Sequence, residues 1–449
     1  MYYMELMKRR AGRFGLYVFF ALLAYAPLHI FLSTWLGTTF SELEFAKIFK
    51  DIVLPVGFFA TLFAAWDMAW LKKFVRQPLI ILVGLYALLT VVFALVFDTH
   101  QRAELLGVVY NLRFLLIFIY AGLLLQLYNP EYLRRRALQI VLGVGVVVAA
   151  FGVAQYTVLP DDALTHVGYS RENGVLPAFH IDDKPDLERV MSTIRDPNTL
   201  GSYLIIIIPL LVAGLFMTKR PETRQILIGG LLLASLAMLF SFSRSGWLGI
   251  IVSMLTFAVV YFAGRYNIGQ FVRTHRKWLI IGALIIALLG AGFFAARDSY
   301  FVQNVILHAD ESTTLEDPNE LRVRFWQESL TAAVQNPLGH GPGTAGLASI
   351  QGDHVILNEN YYFQILHEVG LIGLILFLAI LVLVGVRLYR TYQQTRNVYA
   401  LGLFAAFIGL LATNFLVHIW SNEAVAFTFW ALVGLLVFAP KEKRTNKRA

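Results

Sequence analysis

Residues 358–386 read NENYYFQILHEVGLIGLILFLAILVLVGV. From residue 361 to residue 386 the stretch is long enough, at 1.5 Å per residue, to cross the hydrocarbon core of a bilayer as a helix. Its apolar part does not alternate with polar residues, as the strands of a membrane barrel do. Its first turns differ, because they carry amide, imidazole and carboxylate side chains. We therefore predict a membrane-spanning helix whose entrance has a task other than contact with lipid.

Similar apolar runs recur along the whole chain. Of its 449 residues 58% are hydrophobic and 15% are charged, and the mean hydropathy is +0.64. A soluble domain has roughly 25% charged residues. We predict an all-α polytopic membrane protein with about twelve transmembrane helices, at 14–37, 52–70, 78–97, 105–127, 137–158, 199–217, 225–241, 246–264, 279–296, 361–386, 398–419 and 424–439.

The basic residues predict the orientation. Of the 37 Lys and Arg residues, 25 fall in the N-terminus, the tail 440–449 and five short connections. These segments all lie on one side of the membrane if the helices number twelve. The positive-inside rule makes that side cytoplasmic, with both termini inside. The net charge of +8 then reflects topology and attraction to anionic lipid, and no nucleic-acid partner is expected. We expect the first apolar run to be retained as a span and not cleaved as a signal peptide.

This topology divides the chain into six parts. Two outward segments are long, which is typical of functional loops. The first follows the N-terminal helices, and the second is expected to contain an amphipathic helix and precedes span ten. The parts are residues 1–158 (helices one to five), 159–198 (outward loop), 199–296 (helices six to nine), 297–360 (large outward loop), 361–439 (helices ten to twelve) and 440–449 (basic tail).

The entrance of span ten carries a polar stripe, which we define as Asn360, Gln364 and His367. Their spacing of i, i+4 and i+7 puts them on one helix face, with Glu368 beside them. Glu359 precedes the helix, where its dipole favours a carboxylate. The stripe is either a packed polar seam between helices or one wall of an outward-facing site. Gly370 and Gly373, farther along, are expected to allow close helix approach.

Four arginines fall at the outward ends of the predicted spans. Arg322 and Arg324 precede a sequence that we call the glycine loop, NPLGHGPG at residues 336–343, which includes His340. Arg244 lies in the short turn SFSRSGW, and Arg195 precedes the turn and helix cap expected at residues 196–198. Arginine is suited to bidentate binding of phosphate. The alternatives are solvated loop arginines and, for Arg244, snorkelling to the interface.

Arg113 lies inside the fourth predicted span. A charge at that depth needs a partner or a wet cavity. We favour an intramembrane ion pair, and Asp67 is the candidate partner that the sequence suggests.

Several kinds of site have no support. The chain has no cysteine, which excludes disulfides and thiol nucleophiles. The histidines show no metal-ligand spacing such as HExxH, and there is no GxSxG of a serine hydrolase. We expect no metal and no cofactor.

Four segments in this order resemble the O-antigen ligase and polymerase superfamily: DPNTLGSYL from residue 196, SFSRSGWLG from 241, RVRFWQ…NPLGHGPG from 322 and ENYYFQILHEVGLIG from 359. The resemblance covers roughly residues 192–436. It implies a GT-C-like helical architecture in the cytoplasmic (inner) membrane and a metal-independent glycosyltransferase of surface polysaccharide assembly. The implied partners are membrane lipid, a glycan donor on undecaprenyl diphosphate and a glycan or glycolipid acceptor.

The resemblance also implies roles for residues. Arg244 and Arg322 match the two arginines that engage the diphosphate, and Arg324 is a substitute or helper. Ligases have a histidine immediately before the asparagine that Asn360 matches, and here that residue is Glu359. Either Glu359 is the catalytic base in place of the histidine, or the base lies elsewhere. This departure shifts the expectation toward a polymerase or another acceptor. The remaining substrate-binding candidates are Arg195, Asn360, Gln364, His340 and Glu368.

Two other functions are compatible with a polytopic membrane protein. The first is a transporter or flippase of lipid or lipid-linked glycan, which would be expected to show inverted repeats and broken helices at the midplane. The second is a noncatalytic membrane partner, in which the arginines would be dispensable.

Overall fold

A computed structural model describes residues 2–97, 100–181, 184–263, 276–277, 295, 299, 318–352, 354–357 and 359–439, with the backbone alone at 184–187 and 318–322. The tail 440–449 and nearly all of the predicted span 279–296 lie outside these residues. So do residues 300–317 of the second outward loop.

The described chain is built almost entirely of helices. Fourteen α-helices and one hairpin follow each other in the order α1 Tyr2–Tyr25, α2 His29–Thr39, α3 Leu43–Ala64, α4 Met68–Val75, α5 Pro78–Val96, α6 Gln101–Leu127, α7 Pro130–Thr157, β1 Phe179–Ile181, β2 Lys184–Arg189, α8 Pro197–Met217, α9 Pro221–Phe240, α10 Arg244–Ala263, α11 Pro318–Gln335, α12 Tyr361–Thr395, α13 Val398–Thr413 and α14 Glu423–Val437. The predicted all-α class is confirmed.

Many of these helices are long and apolar enough to cross a membrane. Among the described residues eight segments qualify: α1 with α2, and α5, α6, α7, α8, α9, α10 and α12. The helices α13 and α14 are apolar but shorter. The polytopic membrane protein is thus confirmed, while the count of twelve and the GT-C-like arrangement stay predictions.

The predicted span 52–70 is wrong in its extent. Helix α3 ends at Ala64, and a separate helix begins at Met68. The carboxylate of Asp67 accepts hydrogen bonds from the backbone N–H groups of Ala69 and Trp70, at 2.8 and 3.1 Å. This N-cap starts the new helix and explains the break.

Helix α8 lies at the centre of the second half of the bundle. It packs against α7, α9, α10 and α13, and Tyr203, Ile206 and Ile207 are fully buried. Its N-terminus is capped as expected, because the carboxylate of Asp196 accepts a hydrogen bond of 2.9 Å from the N–H of Thr199. The helix thus holds residues 195–199 at one end of the bundle.

Arg113 is buried in the core between α3, α6 and α14. Its guanidinium pairs with Asp51 at 3.2 Å and with Glu423 at 3.0 Å, and it donates to the carbonyl of Ser421. The prediction of an intramembrane ion pair is confirmed, but Asp67 as the partner is wrong. Asp67 is engaged as a helix cap instead.

The first long loop contains a hairpin that the sequence pattern did not predict. Strands β1 and β2 pair in antiparallel fashion. The N–H of Val190 donates to the carbonyl of Phe240 at 3.1 Å, and the hydroxyl of Thr193 donates to the carbonyl of Pro27 at 2.9 Å. The loop is therefore fixed to the ends of two helices before the chain enters α8.

Candidate functional site

The glycine loop contacts the polar end of α12 directly. Helix α12 is interrupted at Gly370, which has φ of 69°. The N–H groups of His340 and Gly341 donate to the carbonyls of His367 and Glu368, at 2.9 and 3.0 Å, and that of Leu371 donates to the carbonyl of Pro337 at 2.9 Å. The loop thus satisfies backbone groups that the break in the helix leaves without intrahelical partners.

This contact requires glycine on both sides. A Cβ atom on Gly370 would lie 2.5 Å from the carbonyl carbon of Leu338, and one on Gly339 would lie 2.6 Å from the nitrogen of Gly370. We expected Gly370 to allow close approach of another helix, but it allows close approach of the glycine loop. Gly339 and Gly370 also have left-handed φ angles, which glycine adopts without strain.

Glu368 joins three parts of the chain. Its carboxylate is fully buried and accepts hydrogen bonds from the side-chain amide of Asn111 at 2.7 Å and from the N–H of Gly343 at 3.0 Å. Asn111 lies on α6, and its amide oxygen also accepts from the hydroxyl of Tyr361 at 3.3 Å. Glu368 therefore connects α6, the glycine loop and α12.

The polar stripe is packed inside the protein. Asn360 caps α12, since its side chain accepts from the N–H groups of Tyr362 and Phe363. Gln364 is fully buried against Gly346. The ring of His367 stacks on that of His340, with centroids 4.4 Å apart. These contacts correspond to the polar-seam alternative, and the substrate-binding roles of the four residues Asn360, Gln364, His340 and Glu368 stay predictions.

A cavity lies at the same end of the bundle, at the N-termini of α8 and α12. Its volume is about 340 Å³. Five separate segments supply its walls: the loop before and into β1, the start of α8, the turn after the glycine loop, the residue before the cap of α12 and the turn before α14. We call it the candidate cavity, and it is lined by Gly174, Val175, Leu176, Phe179, Arg195, Asp196, Asn198, Thr199, Leu347, Glu359, Val417, His418 and Asn422.

Two of the predicted site residues, Arg195 and Glu359, meet in this cavity. Arg195 is partly exposed and forms no hydrogen bond or ion pair with any residue that the structure describes. Asp196 is committed to capping α8, and Asn422 caps α14 by accepting from the N–H of Ala424 at 3.1 Å. The cavity thus combines a cation with open donor groups and a partly exposed carboxylate, next to two polar side chains that act as helix caps.

Arg244 lies next to this cavity at the first turn of α10. The hydroxyl of Ser243 accepts a hydrogen bond of 3.1 Å from the N–H of Gly246 and so caps that helix. The start of α10 packs tightly on α8, because a Cβ atom on Gly201 would lie 2.9 Å from the Cβ of Ser243. The segments DPNTLGSYL and SFSRSGWLG are therefore neighbours.

Arg189 connects these two segments. Its Nη2 donates to the side-chain oxygen of Asn198 at 3.0 Å, and its Nε donates to the carbonyl of Ser241 at 3.2 Å. Burial lowers the pKa of the Arg189 guanidinium, the carboxylate of Asp196 opposes this, and the positive charge of Arg244 adds to it. Arg189 and Arg244 therefore lie close enough for their positive charges to oppose each other.

The other two predicted arginines lie on α11. The backbone of Arg322 is helical, and its side chain lies outside the described residues. Arg324 is half-exposed and pairs with Glu328 at 3.8 Å. Helix α11 packs on the start of α12 through Trp326 and Phe363, whose ring centroids are 5.9 Å apart. The predicted helix in the second loop is thus present next to the polar stripe.

Three residues in or beside the cavity were not predicted from the sequence: Arg189, His418 and Asn422. Arg189 lies in a hairpin without a hydrophobic pattern, and its only signal is its position a few residues before DPNTLGSYL. His418 and Asn422 lie in the turn between α13 and α14, which the predicted span 398–419 partly covered. The early end of α13 at Thr413 leaves this turn free to line the cavity.

Residues 229–378 match the family model described as O-antigen ligase. The chain carries a domain of the O-antigen ligase and polymerase superfamily. This domain includes Arg244, the glycine loop, Glu359 and the polar stripe, whereas Arg195 and the turn before α14 lie outside the match. The family indicates a ligase or polymerase type of enzyme in surface-glycan assembly. No curated protein matches the chain.

Proposed function

We propose that this protein is a glycosyltransferase that moves a glycan from undecaprenyl diphosphate to an acceptor hydroxyl on the outer face of the cytoplasmic membrane. A polymerase, whose acceptor is another lipid-linked repeat, is favoured over a ligase. The observation that carries the proposal is that Arg195 and Glu359 line one cavity beside Arg244, at the end of the bundle where the O-antigen ligase domain has its polar segments.

Arginines have a clear role in this reaction. The leaving group is a diphosphate, and its negative charge grows as the bond between sugar and phosphate breaks. Arg195 has donor groups that no described residue uses, and Arg244 and Arg189 lie close by. Arg322, on the helix that packs on the start of α12, is the second family arginine and the further proposed ligand of the diphosphate. Because arginines neutralise the leaving group, the proposed reaction needs no metal ion.

Glu359 is the proposed general base. It precedes the cap of α12 and lines the candidate cavity, so an acceptor hydroxyl in that cavity could give its proton to the carboxylate. The deprotonated acceptor oxygen then forms a bond to the anomeric carbon of the donor glycan. The bond from that carbon to the diphosphate breaks, and the diphosphate leaves with the bonding electrons. The glutamate in place of the ligase histidine supports a polymerase or an acceptor other than the lipid A core.

The polyprenyl chain needs an apolar path beside this site. A groove of about 520 Å³ lies between α12 and α13 and is lined almost wholly by apolar side chains. Tyr362 and Phe415 line this groove. Tyr362 lies three residues after Glu359, and Phe415 lies two residues before Val417, both of which line the candidate cavity. We propose that the lipid of the donor lies in this groove with its diphosphate toward the cavity.

The experiment is a comparison of surface glycans from cells that express single alanine variants of Arg195, Arg244 and Arg322 at normal levels. We expect each variant to lose long chains, with lipid-linked single repeats accumulating for a polymerase and long lipid-linked chains remaining for a ligase. Arg136→Ala is the matched control, because Arg136 is exposed on α7, which begins at the opposite end of the bundle. Wild-type glycan in all three variants would contradict the proposed function.

A further inference from the structure

A second cleft opens at the other end of the bundle. It lies between α7, α8, α9, the end of α12 and the later part of α14, and its volume is about 1060 Å³. We call it the basic cleft. Helix α8 runs from Pro197 at the candidate cavity to Met217 at this cleft, a distance of about 30 Å at 1.5 Å per residue. The two sites share no lining residue.

The rim of the basic cleft carries three arginines: Arg134 and Arg135 in the first turns of α7, and Arg396 after α12. Among the described residues that line the cleft, Glu131 is the one acidic residue. The Nε of Arg134 donates to the carbonyl of Pro130 at 3.1 Å, which fixes its orientation. Arg135 and Arg396 are exposed. The rim therefore has an excess of positive charge from side chains on both of its sides.

The rest of the cleft is apolar. Its walls consist mainly of leucine, with valine, isoleucine and methionine, and they come from α7, α8, α9, α13 and α14: Leu138, Leu142, Val146, Leu210, Leu211, Met217, Ile226, Leu227, Leu403, Leu432, Leu435 and Leu436. Threonine and asparagine side chains at helix ends, like the arginines, also line the cleft, at Thr218, Thr223, Thr395 and Asn397. The cleft thus combines charged and neutral polar groups at helix ends with apolar side chains from the helices.

This combination corresponds to the chemistry of an anionic phospholipid. A phosphate headgroup would meet the arginines, its glycerol and ester oxygens would meet the hydroxyl and amide groups, and its acyl chains would cover the leucines. A free phosphate would leave the apolar walls uncovered, and a zwitterionic headgroup would bring its own cation to a rim that is already positive. Basic pockets between membrane helices are a recurrent binding mode for anionic lipid headgroups.

We propose that the basic cleft binds an anionic phospholipid of the phosphatidylglycerol or cardiolipin type. The lipid joins the start of α7, the α8–α9 turn and the end of α12, which are otherwise separate parts of the bundle. Its predicted effect is on stability, and the site is independent of the transfer reaction.

The test uses the full chain, purified and delipidated in detergent, and measures its thermal unfolding as lipid is added. Dioleoylphosphatidylglycerol is expected to raise Tm by several degrees, since a ligand that binds only the folded state stabilises it. Dioleoylphosphatidylcholine and inorganic phosphate are expected to have little effect. An equal rise with phosphatidylcholine or with inorganic phosphate overturns the proposal.

The double variant Arg135→Gln/Arg396→Gln locates the site. Each arginine near an anionic headgroup strengthens binding by about fivefold. The loss of both arginines is therefore expected to weaken binding of phosphatidylglycerol by ~30-fold. Arg136→Gln is the matched control, because Arg136 is an exposed neighbour that does not line the cleft. An unchanged response of the double variant overturns the proposal. If the double variant does not fold, Arg135→Gln alone must weaken binding, because Arg135 is exposed and its removal leaves the packing intact.

Discussion

Asn111 on α6 donates a hydrogen bond of 2.7 Å to the carboxylate of Glu368 on α12, although 257 positions separate them. The same carboxylate accepts from the N–H of Gly343. A family motif, the glycine loop and a helix outside the matched domain thus meet at one buried group. This relationship explains why the polar entrance of α12 is not exposed to lipid.

Replacement of Glu368 by Ala is expected to lower stability. The change leaves the Asn111 amide and the Gly343 N–H buried without their acceptor, at a cost of about 1–3 kcal/mol for each unpaired group. Thermal unfolding of the purified protein in detergent measures the loss. Asn111→Ala is expected to cost less, and the two changes together should cost less than the sum of the single changes because they remove a shared contact. Strict additivity would show that the hydrogen bond is not a stabilising contact.

Gly370→Ala is expected to disrupt the contact between the glycine loop and α12. The added Cβ atom would lie 2.5 Å from the carbonyl carbon of Leu338, and the φ of 69° is strained for alanine. The expected result is a lower Tm and more rapid proteolysis within residues 336–343. Gly229→Ala is the control, because a Cβ atom there meets nothing within 4 Å. An equal Tm for the two variants would contradict the described contact.

Arg113→Ala is expected to prevent accumulation of folded protein. Removal of one partner of a buried ion pair costs about 3–5 kcal/mol because the remaining charge is uncompensated, here at Glu423 and Asp51. The yield of monodisperse protein after extraction measures the effect. The exposed Arg136, changed to Ala, serves for comparison. Equal yields of the two variants would mean that the buried network contributes little.

Glu188 in strand β2 is expected to make the hairpin sensitive to pH. Burial raises the pKa of its carboxyl group, the charge of Asp161 raises it further, and His180 and Gln155 act against this. Because the folded state holds the proton more tightly, this contribution to stability is full below the ordinary glutamate pKa of about 4.3 and is lost as the pH rises through the raised value.

The variant Glu188→Gln should remove that part of the pH dependence. As the pH rises above about 4.3, Tm of the wild type is expected to fall relative to Tm of this variant. Glu172→Gln, at an exposed position of the same loop, should follow the wild type. Parallel curves for Glu188→Gln and the wild type would contradict the expected titration.

Much of the fold was predictable because hydropathy acts locally along the chain. The spans that contain α5, α8 and α10 end within about two residues of their predicted limits. The Asp196 cap was predictable for the same reason, since the signal lies within four residues. The break at Gly370 was not, because it depends on the glycine loop filling the gap from 30 positions away.

The candidate site was predictable only in part. Arg195 and Glu359 were named from the sequence, but nothing in it indicated that they share a cavity. The true partners of Arg113 lie 62 and 310 positions away, and no local pattern in the sequence connects them to it. Arg189 has no periodic pattern around it, and its role depends on the hydrogen bonds that join two distant turns.

The central claim is that Glu359 is the base of a surface-glycan transferase, in the position where ligases have histidine. The most direct measurement is the chain-length distribution of surface glycan from cells that express Glu359→Gln or Glu359→His at wild-type levels. We expect Glu359→Gln to lose long chains, because the amide has nearly the same shape but cannot take a proton, and Glu359→His to retain part of them. A wild-type distribution in cells with Glu359→Gln would contradict the claim.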